Sequence, residues 1–319
     1  MGGRAHRAGT GKLISHPAFA PGTMTDGATV NAADATVLGQ PLPASVRERF
    51  VEAGGVRFRY LQAGATSGLP ILLLHGWPTW AEVWIPVAWV LGARHPWIAP
   101  DLPCQGQSSS LPGKARTLTA YRKAIAAFID ALGLPRFAVV GNSMGGTLAI
   151  MAALDRPERV AKIVVLDAAG LTPKLPGRTA RMYLPFLLPC FIRAPGPKSV
   201  RKLLTKAVFH DPRLADDAWV NAIVAAWRPR DRRKGFMATG FALRRKDASV
   251  AADLGRIHVP TMVLSGRHDV QFPWQSAEQA ATRIPGSHFA AIEDAGHFPM
   301  VEKPRETAQR ISEFFDSSG

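Results

Sequence analysis

The chain has little cysteine. Its 319 residues include two, Cys104 and Cys190, and two cysteines cannot build the disulfide framework of a small secreted protein. Neither lies in a CxxC pair, which redox and zinc sites commonly use. We therefore expect two ordinary thiols, buried or partly buried, and a reducing, cytoplasmic location for the protein.

Recognisable metal-binding motifs are also missing. The nine histidines include no HExxH pair and form no cluster with cysteine along the sequence. Such patterns mark most zinc sites that can be found from sequence alone. The sequence therefore predicts no structural or catalytic metal, and it implies no other cofactor.

Long apolar runs are absent as well. No stretch approaches the length of about 20 apolar residues that a membrane-spanning helix needs. Residues 1–45 are rich in Gly, Ala, Pro and Thr, and they lack the continuous apolar segment of a secretory signal. We predict a disordered N-terminal extension; a transit-like leader is the alternative, and Met24 is a second candidate start.

Positive charge is concentrated in one segment. The formal net charge is +15, and residues 172–250 hold 17 Lys and Arg against 5 Asp and Glu. A basic face attracts anionic partners, but no nucleic-acid-binding motif accompanies it, so we expect no nucleic acid partner. Carboxylate substrates or anionic lipid remain candidates, and a solvated surface that keeps the protein soluble is equally consistent with the charge.

The remaining chain alternates between strand and helix patterns. Short apolar runs, each followed by helical periodicity or a turn, predict buried strands at residues 70–74, 97–99, 137–140, 160–166, 261–264 and 288–292. This alternation is typical of an α/β fold with a mostly parallel sheet covered by helices on both faces. We assign residues 46–171 and 251–319 to this core and residues 172–250 to an inserted helical cap above the carboxyl ends of the strands.

The strongest functional motif is GNSMGG at residues 141–146. It follows an apolar strand and opens a helix, which is the setting of a nucleophile elbow. Ser143 would then be held in a strained turn with its hydroxyl projecting, and Gly141 and Gly145 would leave room for the turn. We predict that Ser143 is a nucleophile; an idle serine in a glycine-rich turn is the alternative.

A second loop could stabilise negative charge on the substrate. The HGWP sequence at residues 75–78 comes just after an earlier strand. Its backbone could bring the N–H of Trp77 toward Ser143, and together with the N–H of Met144 this would form an oxyanion hole. His75 is then structural and not catalytic.

A serine hydroxyl needs a base, and the base needs an orienting acid. His297 lies on the AGHFP loop after the last predicted strand, and Asp269 ends the GRHD sequence after the preceding one. The order Ser, Asp, His is that of the nucleophile-elbow enzymes. Asp167, at the end of another strand, is the second candidate acid, and Cys104 has no base implied for it.

These four motifs, with DLPCQGQS at residues 101–108 read as an architectural loop, resemble the α/β-hydrolase superfamily over residues 46–319. The resemblance implies a serine hydrolase with a cap and no cofactor. Epoxide hydrolases and haloalkane dehalogenases of this superfamily carry aspartate where Ser143 stands. The GNSMGG elbow is similar to that of the meta-cleavage-product hydrolases, which cut carbon–carbon bonds, but those enzymes have a longer glycine-rich oxyanion loop and usually tryptophan at the position of Phe298.

The resemblance therefore favours hydrolysis of a carboxylic ester by an esterase or lipase-like enzyme. Carbon–carbon bond hydrolysis, acyl transfer and perhydrolysis on the same triad are the alternatives, and a binding module without catalysis is a further one. The expected partner is a small ester or acyl substrate, anionic or lipid-like. Residues 182–189 are apolar and basic residues follow them, so contact of the cap with a membrane surface is one hypothesis and packing of the cap onto the core is the other.

Overall fold

The computed structural model describes residues 42–113, 116–182 and 196–317. Most of the predicted extension, Cys190 and the apolar segment after Met182 lie outside these residues. Within them, no helix has both the length and the apolar character to span a bilayer.

Eight strands form one sheet in the spatial order β1-β2-β4-β3-β5-β6-β7-β8. The strands are Arg47–Ala53, Val56–Gly64, Ile71–Leu74, Pro96–Pro100, Phe137–Asn142, Val160–Leu166, Thr261–Gly266 and His288–Ile292. Strands β3 to β8 are parallel to one another, and β2 runs antiparallel to β1 and β4. The predicted α/β fold with a mostly parallel sheet is confirmed.

Helices flank this sheet. In chain order the α-helices α1 to α10 are Ile85–Leu91, Leu118–Ala131, Met144–Asp155, Gly177–Met182, Pro197–Leu203, Asp217–Trp227, Arg230–Ala242, Trp274–Ala281, Pro299–Glu302 and Pro304–Asp316. Helix α1 packs against α10, and α2 packs against α3. The central strand β3 is fully buried, as expected for a strand covered on both faces.

Helices α4 to α7 lie between β6 and β7 and form the insertion, a name we use for residues 172–250. Two helical periodicities visible in its sequence match α5, which continues through a π turn at Leu204–Val208, and α6. Insertion residues contact loops that follow the core strands: the Trp77 indole N–H donates to the Phe236 carbonyl at 3.1 Å, and a side chain on Gly235 would meet Cys104. These described residues of the insertion therefore lie over the carboxyl edge of the sheet.

The loop at residues 101–108 is held by a buried carboxylate. Asp101 accepts hydrogen bonds from the backbone N–H groups of Ala81 (2.9 Å) and Gln107 (2.7 Å), and its other neighbour is the buried guanidinium of Arg59. Gly106 has a positive φ, and a Cβ there would lie 2.0 Å from the Asp101 carboxylate. This arrangement agrees with the architectural role expected from the sequence.

Candidate active site

Ser143 lies between β5 and α3 in a backbone conformation that L-residues rarely adopt. Its φ is +56° and its ψ is −118°, and such strain persists only where the surrounding structure enforces it. Close packing of the turn provides that enforcement: a Cβ on Gly145 would lie 2.0 Å from the Leu74 carbonyl oxygen, and one on Gly141 would lie 2.2 Å from the Gly145 carbonyl oxygen. The turn has the backbone geometry of a nucleophile elbow.

The HGWP loop lies directly against this serine. A Cβ on Gly76 would come within 2.8 Å of the Ser143 Cβ, so only glycine allows the loop to approach so closely. Met144 is the first residue of α3, and the first amides of a helix have no acceptor within the helix. Trp77 follows Gly76 and Met144 follows Ser143 along the chain, so the two segments predicted to form an oxyanion hole are adjacent. The role of the Trp77 and Met144 backbone N–H groups stays a prediction.

His75 has a structural environment. Its Nε2 accepts a hydrogen bond from the Leu102 N–H at 2.8 Å, and its Nδ1 lies 2.8 Å from the Gly76 carbonyl oxygen. Both bonds are satisfied only by the neutral ring with the proton on Nδ1. Complete burial lowers the pKa of His75 to about 4, because a charged ring would lose its hydration. The His75 ring thus joins two loops, and backbone groups occupy both of its nitrogens.

This depressed pKa gives a stability prediction. The unfolded chain protonates His75 near pH 6.5, whereas the folded chain resists protonation until about pH 4. The contribution of His75 to the free energy of unfolding is therefore complete above pH 6.5 and is lost as the pH falls toward 4, by roughly 3 kcal/mol at most. We expect His75→Gln to be less stable at pH 7 but to lose less stability between pH 7 and 4.5, measured by guanidinium unfolding. His258→Gln, at an exposed position, is the control, and parallel pH profiles for wild type and His75→Gln would contradict the assignment.

His297 and Asp269 form a buried pair. The Nδ1 of His297 lies 2.8 Å from the Asp269 Oδ2, and both side chains are almost fully enclosed. The other carboxylate oxygen of Asp269 accepts the backbone N–H groups of Gln271 (2.7 Å) and Phe272 (3.2 Å). The carboxylate is thus fixed, and it holds the His297 ring with Nε2 as the nitrogen left for a reacting partner.

Asp167 lies beside this pair, but the hydrogen bond to the His297 ring is made by Asp269. Asp167 accepts hydrogen bonds from the Ser265 hydroxyl (2.7 Å) and the Gly266 N–H (3.0 Å), and the carboxyl of Asp269 is its charged neighbour. Burial, and then the charge of Asp269, raise the pKa of Asp167 well above its usual value. The carboxylate that bonds the His297 ring is that of Asp269.

The serine turn is bonded directly to the histidine loop. The side-chain amide of Asn142 donates to the His297 carbonyl at 3.1 Å, across strands β5, β6, β7 and β8 that are successive neighbours in the sheet. The sequence alone assigned no role to Asn142. Its amide fixes the distance between the two loops that carry Ser143 and His297.

The insertion is bonded to the same histidine loop. The backbone N–H of His297 donates to the Val208 carbonyl at 2.7 Å. The Glu302 carboxylate accepts the N–H groups of Gly296 (2.7 Å) on the loop, and of His210 (2.7 Å) and Asp211 (3.3 Å) on the insertion. Burial raises the pKa of Glu302 to about 7, although the N–H donors oppose that rise. Sequence reasoning missed Glu302, whose only sequence signal is its place five residues after the candidate base.

Aromatic rings surround the candidate base. The centroid of the His297 ring lies 5.5 Å from that of Phe272 and 5.4 Å from that of Phe298, and Phe298 in turn contacts Phe209 and Trp219 of the insertion. Such surroundings exclude water, which strengthens the hydrogen bonds within the site. The sequence-predicted residues Ser143, Asp269, His297, Trp77 and Met144 are thus brought to one edge of the sheet under an apolar cover.

A family model with the description alpha/beta hydrolase fold matches residues 70–304. The chain belongs to the α/β-hydrolase family. One curated relative, the 2-hydroxy-6-oxo-6-(2'-aminophenyl)hexa-2,4-dienoic acid hydrolase of Metapseudomonas resinovorans, is 29% identical over 273 residues, which are 84% of this chain and 90% of the relative.

Two solved structures resemble this α/β-hydrolase over most of their length. A thermophilic esterase from Thermogutta terrifontis has a TM-score of 0.71 at 25% identity, covering 84% of this chain and 98% of its own. A bacterial membrane phospholipase A has a TM-score of 0.68 at 26% identity, covering 86% of each chain. The family and these relatives identify the protein as a hydrolase and leave its substrate open.

Proposed function

We propose that this α/β-hydrolase cleaves a carboxylic ester through an acyl-enzyme on Ser143. The observation that carries the proposal is the buried 2.8 Å bond between His297 and Asp269, on loops bonded to a serine in a strained strand-to-helix turn. A nucleophile, a base and an orienting acid in these settings are the parts that acyl transfer requires.

The proposed reaction has two halves. The Ser143 Oγ adds to the ester carbonyl while His297 Nε2 takes its proton, and the Trp77 and Met144 N–H groups donate to the resulting oxyanion. The intermediate then expels the alcohol, which receives the proton from His297. In the second half, His297 deprotonates a water that adds to the acyl-enzyme, and the carboxylic acid is released as Ser143 regains its proton.

Carbon–carbon bond hydrolysis is the second candidate, since the Metapseudomonas relative is named for a dienoic acid. A dienoate is an anion, and its recognition in an enclosed site calls for a buried cation. In the described part of the insertion, each Lys or Arg whose exposure is defined is exposed or half-buried. The buried Arg59 of the core already pairs with Glu48, Glu82 and Asp101. The charge distribution therefore supports an uncharged ester over a dienoate.

Trapping the intermediate tests the proposal. Rapid acid quenching of the wild-type enzyme during turnover of p-nitrophenyl acetate, butyrate and octanoate should give a mass increase equal to the acyl group on the peptide that contains Ser143. Steady-state rates across the three acyl lengths would size the pocket. Hydrolysis of a 2-hydroxy-6-oxo-hexa-2,4-dienoate with no turnover or acylation by any ester would instead establish the carbon–carbon reaction, and acylation of another residue would refute the assignment of Ser143.

A further inference from the structure

Three side chains from distant parts of the chain meet at the rim of the candidate site. His210 belongs to the insertion, His268 precedes Asp269, and Asp294 lies on the loop that carries His297. One potential ligand atom from each residue lies within 4.8 Å of the other two, and all three side chains are exposed. Because they are far apart in sequence, no sequence motif identifies them. The sequence-based expectation of no metal therefore did not consider them together.

We propose that His210, His268 and Asp294 bind a divalent transition-metal ion of the zinc type at this rim. Two imidazoles and one carboxylate are ligands that Zn²⁺ accepts, with water in the fourth position. In a tetrahedral site with bonds of about 2.0 Å, ligand atoms lie about 3.3 Å apart. The three ligand atoms lie within 4.8 Å of one another, and exposed side chains are free to change rotamer, so we expect binding to draw them together.

The two histidine rings are already placed together. They stack with their centroids 3.9 Å apart and their planes 13° from parallel. Each ring can offer one nitrogen to a shared ion, and imidazole nitrogen is a common ligand of Zn²⁺. The Asp294 carboxylate adds a negative charge beside them, and its present neighbour is the Lys303 ammonium at 3.6 Å. That long contact between exposed groups contributes little stability, and an ion can displace it.

At this position, a bound ion would connect the insertion to the core. His210 is bonded through its N–H to Glu302, which also holds the loop of His297. An ion bound by residues of the insertion and of the core therefore fastens the insertion onto the loops that carry Asp269 and His297. An ion that binds only the folded chain raises its unfolding temperature.

Isothermal titration with Zn²⁺ and thermal unfolding with and without the ion test this inference on the full chain. We expect one Zn²⁺ per chain and a rise of several degrees in Tm, with affinity weakened by about tenfold or more in each of His210→Ala, His268→Ala and Asp294→Asn. The matched control is His258→Ala, which removes an exposed histidine outside the insertion. This variant should bind Zn²⁺ as the wild type does. Retained metal-free Tm in each variant shows that the fold is intact.

Three results would overturn the inference: no saturable binding below millimolar Zn²⁺, an affinity unchanged in the triple variant, or a loss in His258→Ala as large as that in His268→Ala. The second result would place the ion elsewhere, for example on His297. Because the readouts are binding and unfolding, failure of ester hydrolysis would leave this test unaffected.

Discussion

Replacing Ser143 with alanine is expected to lower kcat for p-nitrophenyl ester hydrolysis by about 10⁵- to 10⁶-fold, with little change in KM. The substitution removes the oxygen that forms the acyl-enzyme. Neither His297 nor Asp269 can replace that oxygen. The substitution leaves the predicted oxyanion hole and the substrate pocket unchanged, so a residual rate above that of water is expected. Initial rates at several substrate concentrations measure both constants.

The variant should fold, which makes the activity loss interpretable. The Ser143 side chain makes no cap hydrogen bond to helix α3, and alanine and serine face the same steric cost at a φ of +56°. Cys104→Ala is the matched control, because Cys104 also carries a nucleophilic side chain at a positive φ near the carboxyl edge of the sheet. Its thiol is buried beneath Gly235 of the insertion. Full activity in Ser143→Ala, or a collapse in Cys104→Ala, would contradict the assignment.

The local geometry at Ser143 could be predicted because it depends on neighbours in the sequence. A strand, a glycine on each side of the serine and a following helix leave few backbone paths, and the positive φ of Ser143 follows from them. The positions of the strands in the parallel core were predicted in the same way, from short apolar runs. These features are encoded within about ten residues of where they occur.

Contacts between loops could not be predicted in that way. Asn142 bonds the His297 carbonyl, and Glu302 bonds backbone groups of the insertion, yet neither residue type nor spacing identifies its partner. Each of these hydrogen bonds depends on the spacing of the strands in the sheet and on the position of the insertion over the core. The stacked rings of His210 and His268 arise from the same docking and are equally invisible in the sequence.

Helix α7 shows a different limit. Arg230–Ala242 begins with a run of charged residues and contains Gly235, a composition that weakens both the apolar periodicity and the intrinsic helix preference. Its burial against the core at Cys104 and Trp77 stabilises it instead. Tertiary packing outweighs local propensity at this position, so the sequence-based analysis missed the helix.

Asp269→Asn is expected to lower kcat by about 10⁴-fold, the second-largest effect we predict. The asparagine amide would donate to His297 Nδ1 and reverse the tautomer, so that Nε2 carries a proton and cannot accept one from Ser143. KM should change little, since Asp269 contacts the histidine and backbone N–H groups of its own loop. Steady-state kinetics at saturating p-nitrophenyl butyrate measure the loss.

Asp167→Asn provides the contrast, because it changes the neighbouring carboxyl by the same chemistry. Asparagine there keeps an oxygen that can accept from Ser265 and Gly266, as Asp167 does, so activity within about tenfold of wild type is expected. The double variant tests whether Asp167 can orient His297 when Asp269 is replaced. If it can, Asp167→Asn combined with Asp269→Asn will be far slower than Asp269→Asn alone. Equal rates of the double variant and Asp269→Asn would show that Asp269 acts alone, as its bond to His297 indicates. A greater loss of activity in Asp167→Asn than in Asp269→Asn would instead show that Asp167 is the acid that orients His297.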